Sequence, residues 1–397
     1  MSIAEHRAIA LEEFCITGSG GTPSRNNKSF YGGTIPWVKS GELREKLVVQ
    51  TEERITEEAL KKSSAKMVPA GAILLAMYGA TVGRLAMLGV DAATNQAICN
   101  IRPDPRLADA KYVYRALESK VPELIAQATG GAQPNISQEK VRNLKIPLPP
   151  LDEQKRIAAI LDKADQLRQQ RRQAIALLDS LTQSIFLEMF GTSKGQVRKI
   201  GELISDGTFL MHKDGNHGSN YPRAEEFGEE GIPFLSAPAI AEDGALLPGK
   251  GPYFNIKKAS SLTIGWIQAG DVLLSHNASV GKVGIYRGEF GPALIGTSLT
   301  AFRGDPNIIA PEFLYSQLRS DYFQRQLTKS MSQTTRNQVP ITAQRNLEIR
   351  LPDISRQQEF MSVANVVQVR LDKMALSLRA SQHLFASLQH RAFAGQL

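Results

Sequence analysis

Two acidic residues and a lysine in the first half of the chain follow the order of a metal-dependent nuclease motif. Asp104 follows Pro103, and Glu118 stands two positions before Lys120, as in a PD…ExK pattern. In such nucleases the carboxylates hold Mg²⁺ and the lysine orients the attacking water. However, we predict that Glu118 lies on a helix, and the repeated segment at 314–320, "LYSQLRS", lacks both the carboxylate and the lysine. Short patterns of common residues arise by chance, so we reject the nuclease interpretation.

The residues that methyl transfer or nucleotide hydrolysis would require are also missing from the sequence. An adenine methyltransferase holds its extruded base with an Asn- or Asp-Pro-Pro-aromatic motif, but Pro149 and Pro150 stand between Leu148 and Leu151. The glycine-rich "GSGGTPS" at 18–24 has no lysine where a phosphate-binding loop needs one. We interpret it as a turn that lets the backbone approach DNA, or simply as a turn.

Three histidines, His212, His217 and His276, fall close together between positions 212 and 276. A metal site needs three or four convergent ligands, and no cysteine lies near these histidines in the sequence. We therefore interpret them as polar loop residues rather than as metal ligands.

The composition indicates two or more domains in a reducing compartment. The chain has 397 residues, 42% of them hydrophobic, which is enough to bury several cores. Cys15 and Cys99 are too few for a disulfide framework or a thiolate metal site. The start of the sequence has no apolar signal segment, and its most apolar stretch, Met67–Tyr78, is too short to span a bilayer. We expect a soluble cytoplasmic protein with no membrane partner.

The net charge of +8 and the pI of about 9.4 are a weak indication of a polyanionic partner. The helix predicted below, from Leu151 to Phe190, carries as many acidic as basic residues, so the excess positive charge lies elsewhere. One concentration of it is Arg319, Arg325, Lys329, Arg336, Arg345 and Arg350, set against Asp321 and Glu348. We interpret this concentration as a basic face on a globular domain.

The second half of the chain repeats the first. Nine residues recur at a constant separation of 203 positions: Leu144, Ile146, Leu148, Pro149, Gln154, Ile157, Ile160, Ile185 and Phe190 match Leu347, Ile349, Leu351, Pro352, Gln357, Phe360, Val363, Leu388 and Phe393. Upstream, 68–87 matches 267–286, and 31–43 matches 228–240. The separation is 199 at Gly71 but 198 at Gly83, so insertions fall in loops. The two copies therefore share a frame and present different surfaces.

A long helix is predicted at the end of each copy. No Pro or Gly interrupts 151–190 or 353–394, and apolar residues recur there every three or four positions. The two stripes are Ile157, Ile160, Ala164, Leu167, Ala174, Leu178, Leu181 and Ile185, and Val363, Val367, Leu371, Met374, Leu378, Phe385 and Leu388. Helices of about 38 residues would span roughly 57 Å. Because they are related by the repeat, we expect them to pack as an antiparallel coiled coil.

The regions before the helices have a different pattern. Short apolar runs such as "AILLAMY" and "DVLLSHN", bounded by Gly, Pro and Asn, predict β-strands and turns, and 110–128 and 311–330 predict short helices. We predict an α+β fold with a pseudo-two-fold internal repeat. Two tandem globular domains, 1–150 and 192–352, are separated by two long antiparallel coiled-coil helices, 151–191 and 353–397.

This arrangement resembles the specificity subunit of type I restriction-modification systems over essentially the whole chain. The resemblance is carried by "PLPPLDEQKRIAAILD" at 147–162, by "GGTPSRNN" at 20–27 followed by "YGGTIPWVKSGEL", and by "AFAGQL" at the end. It implies two target-recognition domains, each of which reads one half of a bipartite asymmetric site in double-stranded DNA.

The resemblance also implies partners. The long helices would act as a spacer and as the docking surface for two modification subunits, which carry the methyltransferase chemistry and its S-adenosylmethionine. Translocation and cleavage, with ATP and Mg²⁺, would belong to restriction subunits. We therefore expect a non-catalytic chain with no cofactor of its own. Two alternatives stay open: a stand-alone DNA-modifying or DNA-cleaving enzyme, and a coiled-coil adaptor with two protein-binding heads.

Loop position, residue type and the resemblance together select candidate DNA contacts. Arg and Lys suit guanine, and Asn and Gln suit adenine, each pair giving about 1–3 kcal/mol of discrimination. The candidates in the first domain are Thr22, Ser24, Arg25, Lys39, Ser40, Arg44, Tyr78, Thr81, Arg84, Gln133 and Asn135. Those in the second are Lys213, Asn216, His217, Asn220, Ser236, His276, Asn277, Lys282, Gln333, Thr334, Arg336 and Asn337. Matched positions differ, as in Tyr78–Gly79 against His276–Asn277, so we expect the two half-sites to differ.

Overall fold

The computed structural model describes residues 7–127, 135–191, 196–218, 221–247, 253–331 and 337–397. The chain divides into two compact units, the first formed by 1–170 and 377–397 and the second by 171–376. Each long helix therefore contributes one part to the first unit and another part to the second.

The first unit contains short strands, three short helices and part of each long helix. Its strands are β1 (Ala8–Ala10), β2 (Cys15–Ser19), β3 (Tyr31–Val38), β4 (Leu47–Val48), β5 (Glu53–Ile55), β6 (Met67–Val68), β7 (Ile73–Ala76), β8 (Leu85–Leu88), β9 (Ala92–Thr94), β10 (Ile98–Pro103) and β11 (Lys145–Pro147). Its helices are α1 (Glu57–Lys62), α2 (Ala110–Ala126), α3 (Gln138–Arg142) and the start of α4 (Leu151–Phe190). One sheet has the order β2-β10-β7-β8-β4, a second has β5-β3-β9-β6, and β1 pairs with β11.

The second unit is built in the same way. Its strands are β12 (Gln196–Lys199), β13 (Phe209–Asp214), β14 (Phe227–Gly228), β15 (Ile232–Leu235), β16 (Tyr253–Phe254), β17 (Trp266–Ile267), β18 (Val272–Ser275), β19 (Val283–Ile285), β20 (Ala293–Ile295), β21 (Leu299–Gly304) and β22 (Glu348–Leu351). Its helices are α5 (Ile200–Ser205), α6 (Ile256–Ala259), α7 (Pro311–Arg319), α8 (Asp321–Met331), α9 (Ile341–Gln344) and the start of α10 (Ile354–Phe393). The sheets have the orders β13-β21-β18-β19 and β14-β16-β15-β20-β17, and β12 pairs with β22.

The strand pairings confirm the α+β fold and the internal repeat. The parallel pair β3–β9 recurs as β15–β20, with Trp37 opposite Ala93 and Phe234 opposite Leu294. The antiparallel pairs β10–β7 and β10–β2 recur as β21–β18 and β21–β13. The helix predicted over 311–330 is two helices, because the chain turns at Ser320, whose Oγ accepts from Phe323 N at the start of α8 (3.4 Å).

The two long helices pack antiparallel within each unit. Ile157 and Leu161, near the start of α4, share the core of the first unit with Phe385, near the end of α10. In the second unit the end of α4 meets the start of α10, with the rings of Phe186 and Phe360 5.4 Å apart. The predicted helices and their orientation are confirmed.

The predicted apolar stripe on these helices was partly wrong. Leu167 is 41% exposed and Leu181 46% exposed, whereas the most buried residues of α4 cluster towards its two ends. At those ends the helix packs against a globular region as well as against the other helix, so burial extends beyond a coiled-coil seam. Periodicity in the sequence reports the seam but not this additional contact.

A buried glutamine fixes the start of each long helix to the globular region before it. The Gln154 amide donates to Pro149 O (2.7 Å) and Leu107 O (3.0 Å) and accepts from Asp109 N (2.8 Å). Gln357 repeats all three bonds, donating to Pro352 O (2.8 Å) and Ile308 O (2.9 Å) and accepting from Ala310 N (2.9 Å). Both side chains are fully buried, so each satisfies backbone groups that water does not reach.

The loop between β7 and β8 shows where the repeat changes length. Ala76 N donates to Arg84 O (2.9 Å), and Ser275 N donates to Lys282 O (2.8 Å) across the corresponding loop between β18 and β19. The β7–β8 loop therefore contains one residue more than the β18–β19 loop. The shorter loop places Ala278 at φ 62°, in the left-handed region that favours glycine.

Backbone contacts beyond these loops give the correct register of the repeat. Met77 O accepts from Ile136 N (2.7 Å), and His276 O accepts from Val339 N (2.8 Å). Met77 therefore corresponds to His276, and the sequence alignment of Tyr78 with His276 was wrong by one residue. The apolar match between the flanking strands concealed the single-residue difference in the loop.

We predict that Gln154→Leu destabilises the first unit by about 3 kcal/mol, since it leaves one N–H and two carbonyl groups buried without partners. Hydrogen exchange should show lost protection at Asp109 and at the start of α2. Gln357→Leu should act in the same way on the second unit, and the exposed Gln173→Leu is the matched control. A cost below about 1 kcal/mol for both buried substitutions would contradict this role.

We also predict that Ala278→Gly stabilises the second unit by about 0.5–1 kcal/mol, because it relieves the left-handed strain at a smaller cost in chain entropy. Ala80→Gly, in the loop of the first unit, is the control and should give no gain because Ala80 has no positive φ. The free energy of unfolding should be measured by equilibrium denaturation, and the local stability of the loop by hydrogen exchange at 276–282. Equal effects of the two substitutions would show that Ala278 is not strained.

Candidate nucleic-acid interface

The β7–β8 loop lies beside a segment that carries other predicted contacts. Tyr78 forms an isolated antiparallel bridge with Asn135, and Asn277 forms the corresponding bridge with Gln338, next to Asn337. Burial raises the pKa of Tyr78, so its phenol stays neutral and keeps the proton that a hydrogen-bond donor needs. Each unit thus brings together candidates that are far apart in the sequence.

Two arginines of the first unit line a groove of about 500 Å³ between the β7–β8 loop and α2. Arg44 and Arg84 are both exposed, and Arg44 Nε donates to Gly41 O (3.1 Å). Lys46 lies in the same groove, but its ammonium bonds Glu118 (3.1 Å) and Asp165. The guanidinium groups of Arg44 and Arg84 therefore remain available to an anion such as phosphate.

The second unit has a corresponding groove of about 490 Å³ with a different charge. Lys282 takes the place of Arg84, but its ammonium pairs with Glu242 (2.7 Å) and donates to Ile240 O (3.3 Å). Arg319 also lines the groove and forms a bidentate pair with Asp179 (2.7 Å). The two grooves have similar volumes, but the cations of the second are offset by carboxylates.

A glycine at the edge of each groove permits the close approach of loop and helix. A Cβ on Gly83 would lie 2.7 Å from the side chain of Ile125, and one on Gly281 would lie 2.6 Å from Gln324 Oε1. Both glycines also have positive φ, at 81° and 99°. The loop could not hold Arg84 beside α2 with a larger residue at position 83.

Arg25 and Lys39 are ion-paired rather than free. Arg25 bonds Glu53 (2.6 Å) and lies over the rings of Tyr31 and Trp37, while Lys39 bonds Glu52 and Glu53 (2.9 Å each). The bond from Arg25, followed by that from Lys39, lowers the pKa of Glu53, which keeps the carboxylate charged. Two cations and two carboxylates thus leave the cluster without net charge. Sequence reasoning missed Glu53, because no local signal pairs it with Arg25 across 28 positions.

The turn at 18–24 serves the fold. A Cβ on Gly20 would lie 2.1 Å from Thr94 O, and one on Gly21 2.3 Å from Ala65 N, so both glycines are required by the protein's own backbone. Trp37 Nε1 donates to Gly21 O (3.1 Å). Of the candidates in this turn, Thr22 bonds Gln96 and Ser24 is exposed.

Of the polar residues singled out from the sequence of the second unit, three are buried, and two of these are the histidines interpreted as polar loop residues. Asn216 donates to Ile264 O (2.8 Å), His276 Nδ1 lies 2.8 Å from Thr300 Oγ1, and His212 lies on β13. His212 lies on β13 rather than in a loop, with its ring 4.7 Å from that of Phe302, whereas His276 does begin the β18–β19 loop but is buried rather than exposed. His217 is exposed and bonds Asp214 (2.7 Å).

The remaining candidates divide into exposed, half-buried and undescribed positions. Lys213 and Asn277 are exposed, as are Asn135 and Asn337, while Ser40, Thr81 and Ser236 are half-buried. Gln133, Asn220, Gln333, Thr334 and Arg336 lie outside the described residues.

The predicted basic face of the second domain is smaller than the sequence suggested. Arg319 is held by Asp179, and Arg350 lies over the ring of Tyr322 (4.7 Å) while donating to Phe190 O (2.9 Å). Both arginines therefore bond to residues of α4, and a count of charges along the sequence does not reveal such bonds. Within the described ranges, no group of His, Cys, Asp and Glu could hold a metal ion, and no helix has the length and apolar character to cross a membrane.

Comparison with known proteins gives the family of this chain. A sequence model described as "Type I restriction modification DNA specificity domain" matches residues 6–177 and 216–364. The chain is 36% identical over 154 residues to the EcoR124I/EcoR124II specificity subunit of Escherichia coli, covering 37% of this chain and 38% of that protein. It is 26% identical over 321 residues to the MjaVIII specificity subunit of Methanocaldococcus jannaschii, covering 75% of this chain and 73% of that protein.

Solved structures share the fold. The type I restriction-modification S subunit from M. genitalium has a TM-score of 0.58 at 17% identity, covering 98% of this chain and 96% of that one. A chain from a type I R-M system, studied for its complex assembly and conformational transition, has a TM-score of 0.53 at 19% identity and covers 99% of both chains. With the family match falling once on each copy of the repeat, the chain belongs to the specificity subunits of type I restriction-modification systems.

Proposed function

We propose that the chain reads a bipartite, asymmetric site in double-stranded DNA, one half-site with each copy of its repeat. The target-recognition domains are 1–150 and 192–352, and the helices 151–191 and 353–397 separate them. The observation that carries this proposal is that the two units share one arrangement of strands but have different side chains at corresponding loop positions, such as Tyr78 and Asn277. A shared frame with different side chains suits two readers of different half-sites.

Arg44 and Arg84 are proposed as phosphate contacts of the first domain. Both are exposed on one groove, and phosphate contacts position a protein on DNA without reading sequence. Base reading is assigned to the bridged segments, with Tyr78 and Asn135 in the first domain and Asn277 and Asn337 in the second. Their amide and phenol groups can both donate and accept at base edges.

The partners are proposed to be two modification subunits and, in the restricting complex, restriction subunits. S-adenosylmethionine, ATP and Mg²⁺ would be held by those subunits. Leu177, Leu187 and Val366 lie on the long helices with more than half of their surface exposed, which suits docking of a partner. Cys15 and Cys99 are unpaired and buried, consistent with a reducing cytoplasm.

We predict that Arg44→Ala and Arg84→Ala each weaken DNA binding and reduce the slope of log affinity against log salt by about 1, because each removes one phosphate contact. Arg25→Ala is the matched control, because the charge of Arg25 is already offset by Glu53. Binding of the assembled methyltransferase to a duplex carrying the methylated site should be measured at several salt concentrations. If Arg25→Ala changes the slope as much as Arg84→Ala does, the division between paired and free cations is wrong.

We predict that exchanging 193–350 for the corresponding region of a relative changes one half-site and leaves the other unchanged. The reason is that each copy has its own sheets and core. Methylome sequencing of a host that expresses the complex is the measurement, with the unexchanged chain as control. A palindromic motif, or a change in both half-sites, would contradict the proposed function.

A further inference from the structure

Four buried polar side chains form a continuous hydrogen-bonded chain in the second unit. His212 Nε2 lies 3.2 Å from Gln344 Oε1, and Gln344 Nε2 donates to Thr300 Oγ1 (3.0 Å). The Thr300 hydroxyl lies 2.8 Å from His276 Nδ1. All four residues are at most 7% exposed. With each donor filling one acceptor, the hydrogen-bonded chain forms when both imidazoles are neutral, and the buried Nδ1 of His212 has no partner.

The first unit has mostly apolar residues at the same four positions. Strand register matches Thr300 to Cys99 and His212 to Thr17. The backbone bonds of the following segments match His276 to Met77 and Gln344 to Val141, since Leu347 N donates to Gln344 O (3.0 Å) as Leu144 N donates to Val141 O (3.3 Å). Met77, Cys99 and Val141 belong to a single apolar core. One frame thus holds an apolar cluster in one copy and a polar chain in the other.

The hydrogen-bonded chain holds in place two segments that carry the proposed base contacts. His276 begins the β18–β19 loop, directly before Asn277, and its carbonyl accepts from Val339 N (2.8 Å). Gln344 Nε2 donates a second bond to Val339 O (3.1 Å), which holds the segment that begins at Asn337. A change in the chain would therefore move both sides of the Asn277–Gln338 bridge.

We propose that His212, Thr300, Gln344 and His276 are positioning residues that fix the β18–β19 loop for half-site reading, and that acid releases this loop alone. The proposal rests on the proposed function for its effect on DNA, but the proton sensitivity of the loop does not. Protonation of His276 at Nδ1 removes the acceptor of the Thr300 hydroxyl, and protonation of His212 at Nδ1 adds an N–H that has no acceptor. Either event also places charge in a buried site.

The charged surroundings favour the neutral imidazoles. The pKa of His212 is lowered to about 4, mainly by burial, with the bond to Gln344 and the charge of Asp214 opposing the shift and Arg345 and His276 contributing to it. Burial also lowers the pKa of His276, with Asp214 opposing and His217 adding to the shift. An unfolded histidine titrates near pH 6.5. The hydrogen-bonded chain therefore contributes its full stabilisation of the folded loop above about pH 6.5, and this stabilisation is lost as the pH falls towards 4.

Hydrogen exchange of the full chain tests the proposal without any substitution. Between pH 7.5 and 5, after correction for the intrinsic exchange rate, the opening equilibrium of 276–282 should rise by about 30-fold from His212 alone. The β7–β8 loop of the first unit is the internal control and should change by less than about threefold, because its core is apolar at these positions. Equal changes in both loops, or none in either, would overturn the proposal.

Grafting the residues of the first unit gives the matched variant. His212→Thr, His276→Met, Thr300→Cys and Gln344→Val together should retain protection at pH 7.5 and abolish the acid response of the β18–β19 loop. Gln344→Val alone interrupts the hydrogen-bonded chain of four side chains. Discrimination at the second half-site should therefore fall about tenfold or more, with the first half-site unchanged. An acid response that survives the graft, or equal loss at both half-sites, would contradict positioning. A methylome motif without two half-sites would instead contradict the proposed function.

Discussion

In each unit, the hydrogen bonds of one fully buried glutamine are the constraint on which the rest of the structure depends. Gln154 and Gln357 stand one turn inside a long helix, where they bind the proline carbonyl before it and two backbone groups of the globular region. A buried amide tolerates little displacement, because each lost bond leaves a polar group without water. The start of the helix and the segment before α2 or α7 therefore move together. The sheets, packed on those helices, inherit that fixed position.

The elements predicted from sequence were those with strong local signals. Proline, glycine and three-to-four periodicity marked both long helices, and short apolar runs marked β7 and β18. The contacts of the candidate site were harder to predict from the sequence, because they join residues that are far apart along the chain. Glu53 neutralises Arg25 from another strand, and Asp179 removes Arg319 from the basic face. Charge counting treats such cations as free, since it contains no information on which carboxylates fold beside them.

Burial of polar residues escaped prediction for a related reason. His212 and His276 occur among residues typical of loops and strand ends, so their composition indicated exposure. Their burial is possible because Thr300 and Gln344, from β21 and α9, supply hydrogen bonds inside the core. Neither histidine would be stable there by itself, since an unpaired polar group in an apolar core costs several kcal/mol. Four positions that are separate in the sequence must therefore be considered together.

Comparison of the two copies separates what the frame requires from what each surface adds. Both copies keep the glutamine bonds, the parallel strand pair and the positive-φ glycine beside the groove, so these features serve the architecture. The groove charge, the loop length and the four-residue core differ although the backbone around them is shared. A feature that varies on a constant frame is not needed to fold that frame. The proposed function gives these differences a purpose, because two half-sites of different sequence require different side chains on one shared backbone.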